Sequence, residues 1–192
     1  MNKEITDFES KFKNIISIVK KNSKLLITIV SVALLGLITI LYLNYKNQKD
    51  LIHISEQYYK AQILIEKKNN NQAKLILENI IAKKSKLYSP LSLYLIIDLK
   101  LESNSLKVIE LFDEVLKIKK IGKEDRNLIK IKKALYISNN NDEEQIILDL
   151  LNPIVNSNSI WRKMSIEFLA KYFSNKNQKV KSEDYYKLLN NR

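Results

Sequence analysis

Only two glycines and two prolines punctuate the 192 residues. Hairpin turns between strands call for glycine, above all as Asn-Gly or Asp-Gly pairs, and no such pair occurs. Glycine and proline are also the residues that most often end a helix. Long stretches of Leu, Ile, Lys and Glu are broken instead by asparagine clusters such as Asn69-Asn70-Asn71 and Asn139-Asn140-Asn141. The chain is therefore expected to be all-α.

The first such stretch holds 19 residues without a charge, Leu25 to Leu43. As a helix it would reach about 28 Å, close to a bilayer's hydrocarbon thickness. It is apolar all round, so it needs cover on every side. No small-x-small cleavage site follows it, and Tyr42 and Tyr45 stand where headgroups would lie. The expectation is a permanent transmembrane helix over 25–43 in contact with membrane lipid. Residues 1–24 would be a basic cytoplasmic tail, and 44–192 a helical domain. Lys11, Lys13, Lys20, Lys21 and Lys24 precede the run, against Lys46 and Lys49 close after it. That bias points to a cytoplasmic N-terminus and an external, periplasmic C-terminal domain.

Beyond the run, apolar periodicity marks eight helices in four pairs. The first carries Leu51, Ile54, Tyr58, Ala61 and Ile65 on one face. The others are expected at Gln72–Lys84, Ser89–Leu101, Leu106–Lys119, Asp125–Ser138, Asp142–Leu151, Ile160–Ser174 and Val180–Asn190. Asp142 and Ser159 are candidate N-caps, and Pro153 is expected to end its helix.

Fixed spacing suggests repeats. In the second helix of a pair, a residue at +0 is followed by larger ones at +4 and +7. Ala73, Leu77 and Ile80 fit, then Val108, Phe112 and Val115, then Ser182, Tyr186 and Leu189. Twelve positions before each set lies a close-contact residue of the first helix: Ala61, Ile96 and Ala170. The third pair shows no clear register.

This pattern resembles tetratricopeptide repeats, most of all in "SIWRKMSIEFLAKYFSNKNQKVKSEDYYKLL", Ser159 to Leu189. Basic tail, single anchor and about four degenerate repeats together resemble a bacterial inner-membrane family that includes the ancillary subunit of the Sec translocon. The resemblance implies a right-handed solenoid of helical hairpins in the inner membrane. It implies a non-catalytic scaffold whose partners are translocon subunits, periplasmic chaperones or exported chains. The alternative is a scaffold or assembly factor for an envelope or cell-division complex. Carrying the repeat's inner-face positions across places Tyr58, Gln62, Leu93, Ile97, Lys100, Glu167 and Lys171 in a protein-binding groove. Leu93 and Ile97 can equally be core.

Chemistry-bearing constellations are absent from the sequence. There is no cysteine, and His53 is the single histidine. Neither glycine belongs to a phosphate-binding loop. Glu143-Glu144 and Glu183-Asp184 are adjacent, and neighbours on a helix diverge. No enzyme activity, cofactor or metal is expected. The net charge of +12 raises nucleic acid as a partner. Yet 27 of the 33 basic residues follow Leu43, interleaved with 18 of the 21 acids, and only three are arginine. Nucleic-acid binding is not expected. Trp161 is expected to pack rather than to anchor a partner.

Overall fold

The computed structural model describes residues 23–190. All regular structure among them is helical: α1 (Ser23–Glu66), α2 (Asn70–Ala82), α3 (Tyr88–Asp98), α4 (Ser105–Leu116), α5 (Lys123–Asn140), α6 (Glu144–Val155), α7 (Arg162–Asn175) and α8 (Lys179–Asn190). The chain divides into two units, Met1–Ile52 and His53–Arg192.

In the first unit the expected anchor is corrected. Among the described residues no helix is long and apolar enough to cross a membrane. The side chains of Leu25, Leu26, Ile29 and Val30, and the expected tail over residues 1–22, lie outside the described residues. The placement drawn from the anchor, a single-pass inner-membrane protein with its C-terminal domain in the periplasm, falls with it.

The second unit is built from helices that pack on their sequence neighbours. None of the left-handed residues at its turns is a glycine. At the end of α1, Lys68 takes φ 60°. Its N–H donates to Ile65 O at 2.8 Å, and that of Asn69 to Leu64 O at 2.8 Å. This pair of bonds is the Schellman arrangement, which satisfies carbonyls left open at a helix C-terminus. Lys100 and Leu101 repeat it after α3, and Asn177 and Gln178 after α7. Two asparagines then open the next helix. Asn69 Oδ1 accepts from Gln72 N, and Asn104 Oδ1 from Lys107 N. Each such cap is worth about 1 kcal/mol.

The close-contact residues Ala61, Ile96 and Ala170 are all completely buried. So are, or nearly so, Ala73, Leu77, Ile80, Val108, Phe112 and Val115. In the last pair Ser182 Oγ donates to Ala170 O at 2.8 Å, so the two helices meet directly at this crossing. The third pair has the same register, which the sequence hides. Ala134 is its close-contact residue, and Ile147, Leu151 and Ile154 occupy +0, +4 and +7, all buried. One extra residue in the Asn139–Asp142 turn lengthens the spacing from twelve to thirteen and masks the match. Tyr186 departs from expectation: its +4 equivalents are buried, but it is 41% exposed. It lies on α8, the last described helix, and no later one covers it.

The pairs are joined by a second device. A polar side chain early in each new pair reaches back to carbonyls at the end of the one before. Ser89 Oγ donates to Ile80 O and Ile81 O. The Arg126 guanidinium donates to the carbonyls of Leu116, Ile118 and Ile121. Arg162 donates back to Val155 O at 2.9 Å and, within its own pair, to Leu188 O at 3.2 Å. Two of the three arginines are thus committed to backbone oxygen. Such charge-assisted bonds contribute about 1.5–3 kcal/mol each.

Two expected helix ends are corrected. Pro153 lies inside α6, which continues to Val155. Asp142 does not cap α6: it sits at φ 50°, Glu143 is the N-cap residue, and the Asp142 side chain turns to α7. Ser159 precedes the α7 N-cap residue Trp161, and its Oγ accepts from Trp161 N and from the Asn127 amide. Trp161 is half-buried against the core that α5, α6 and α7 share, as a packing residue.

Two stability outcomes follow. Lysine in the left-handed region is strained, so Lys68→Gly should stabilise the chain by about 0.5 kcal/mol in urea unfolding, the relieved strain being partly offset by a more flexible unfolded chain. Leu93→Ala, which empties a fully buried site, should cost about 2–5 kcal/mol in the same assay.

Candidate protein-binding groove

The close-contact register also states which way each side chain of a first helix faces. Three positions before it stand Tyr58, Leu93, Ile131 and Glu167. The Tyr58 ring packs on Tyr88 of the following pair, with centroids 5.6 Å apart. Leu93 and Ile131 are buried. This row is therefore the seam between successive pairs. In the last pair its place is taken by Glu167, which faces Lys163 at 3.9 Å. A charged residue suits a seam position that no described helix covers.

A different row faces outward. Positions −2, +1, +2 and +5 from the close-contact residue share one stripe of a helix. On α3 these include Tyr94, Ile97 and Asp98. On α5 they are Lys132, Leu135, Tyr136 and Asn139. On α7 they are Phe168, Lys171, Tyr172 and Asn175. Two clefts run along them. One, of about 150 Å³, lies between α3 and α5; the other, of about 410 Å³, lies between α5 and α7. Leu135 and Asn139 line both, so the clefts form one groove across three helices.

Leu135 stands at its centre and is 48% exposed. Rings surround it. Phe168 and Tyr172 stack at 6.4 Å, and Tyr136 leans on the buried Phe112 at 6.1 Å. Lys132 Nζ lies 4.5 Å from the centroid of the Tyr94 ring, a cation–π contact. Burial, and secondarily the Asp125 charge, pushes the Tyr94 hydroxyl up to about 12, so it stays a neutral donor.

One end of the groove is closed by a polar knot. Asp142 accepts from Tyr172 OH at 2.7 Å and pairs with Lys176 at 2.9 Å. The Lys176 bond, then that of Tyr172, holds the Asp142 carboxyl below the usual carboxylate range. Lys176 is held above the usual lysine range, first by Tyr172 and then by Asp142. Lys171 beside them is exposed and has no ion-pair partner among the described residues.

Of the residues expected in a groove, Ile97 and Lys171 line this one. Leu93 is core, and Tyr58 and Glu167 belong to the seam row. The −3 position points into the next pair, one residue's rotation away from the groove at −2. Gln62 and Lys100 are exposed and line neither cleft. Sequence reasoning missed Tyr94, Leu135, Phe168 and Tyr172. Their signal is the recurrence of large side chains at −2, +1 and +2, legible only once Ala134 fixes the third register. His53 is exposed, and among the described residues no three His, Asp or Glu side chains gather as a metal site.

The Asp142 knot has a pH signature. A carboxyl held below its ordinary value adds stability above about pH 4 and loses it as pH falls through the lowered value. The stability gap between the native chain and Asp142→Asn should therefore be present at neutral pH. It should close in acid when the two are unfolded in urea side by side.

No protein-family model, curated protein or solved structure matches the chain. What the groove does is read from its own residues.

Proposed function

We propose that the chain is a non-catalytic scaffold that holds a segment of another protein in the groove of α3, α5 and α7. Its helical pairs are read as a tetratricopeptide-like solenoid of four hairpins, in which first helices line the inner surface. The observation that carries the reading is Leu135: an exposed aliphatic side chain, ringed by aromatic residues, at the junction of two clefts. Binding hot spots have this form, a pocket whose aromatic surround excludes water. The export translocon, its chaperones and clients, and an envelope or cell-division complex remain partners of this same class.

A photo-crosslinking amino acid at position 135 tests the reading. Position 106 is the control, because Leu106 on α4 is more exposed, at 65%, and lines neither cleft. Discrete protein adducts are expected from position 135 and not from 106. Equal adduct patterns from both positions would remove the groove from consideration.

A further inference from the structure

We infer that the occupant of this groove is an extended, acidic protein segment that seats one bulky apolar side chain on Leu135; the inference rests on the groove reading above. Three independent features define that chemistry. The first is the apolar notch itself, where Leu135 lies exposed between Phe168 and the Tyr94–Ile97 side. One large aliphatic or aromatic side chain fits it.

The second is a pair of amides. Asn139 and Asn175 occupy the same register position, +5, on α5 and α7. Both are exposed, both line the larger cleft, and neither side chain has a hydrogen-bond partner among the described residues. A carboxamide offers a donor and an acceptor together, which matches the N–H and C=O of one peptide unit. Two such amides meet main-chain groups of an extended chain, whose N–H and C=O are not used within the segment itself. A helical occupant would already have satisfied those groups internally.

The third is charge. Lys132, Lys171 and Lys176 line the groove against Asp98 and Asp142. Asp142 is consumed by Lys176 and Tyr172. Lys132 and Lys171 then face Asp98 alone, and the exposed Lys100 follows two residues on. The surplus is cationic, so carboxylates on the occupant gain and basic residues are repelled.

A displayed library of random peptides, panned on the full chain, reads this chemistry directly. Circular dichroism of each variant confirms that helicity is retained. Enriched peptides should combine acidic residues with one large apolar residue. Their recovery should fall about tenfold or more on Leu135→Glu. On the Lys132→Glu/Lys171→Glu variant the acidic preference should vanish or reverse. Recovery should also drop on Asn139→Ala/Asn175→Ala. Enrichment of basic or uncharged peptides that is still lost on Leu135→Glu would overturn the acidic occupant and keep the groove. Indifference to the asparagine variant would overturn the extended conformation. Recovery that ignores Leu135→Glu, or no enrichment at all, would overturn the groove reading together with this one.

Discussion

How closely two consecutive helices can approach decides the rest of the helical unit. Small side chains at the crossing, Ala61 and Ala73 in the first pair and Ala170 and Ser182 in the last, let backbones come near enough for Ser182 to bond directly to a carbonyl across the gap. Where Ile96 or Ile147 replaces a small residue, the site is still completely buried. Once that crossing is fixed, rotation of each first helix is fixed as well. Seam and groove then fall on adjacent stripes, one residue apart.

The chain reaches this geometry with almost none of the usual helix-ending residues. Lysine and asparagine accept the left-handed conformation that glycine adopts without strain. The bonds of the Schellman turn offset that strain. Ser89, Arg126 and Arg162 close the other open helix ends from the following pair. The consequence is mechanical as well as energetic. Each helical pair is tied to the next by polar bonds to the backbone, beyond the apolar contacts of Leu93 and Ile131. The clefts beside α3, α5 and α7 meet at Leu135.

Glu167 shows how one substitution type changes meaning with position. At the seam, Leu93 and Ile131 extend the core into the next pair. A carboxylate in that place could not be buried without a partner. Paired with Lys163 and left half-exposed, it gives the last pair a polar outer face.

Composition and periodicity alone determined that the chain is helical, roughly where its helices lie and that Ala61, Ala73 and Ala170 sit at helix crossings, because these depend on local propensity and on apolar spacing along one helix. Ile97 and Lys171, two of the residues expected to face inward, line the clefts. Tertiary structure decided what depends on rotation between helices. It assigned Leu93 to the core, Tyr58 and Glu167 to the seam, and Tyr94, Leu135, Phe168 and Tyr172 to the groove. A one-residue step turns a helix by about 100°, enough to carry a side chain from one neighbour to another. It decided, too, that Asp142 binds Lys176 and Tyr172 rather than capping its own helix, since those partners lie some thirty residues away and meet it only when the last two pairs pack.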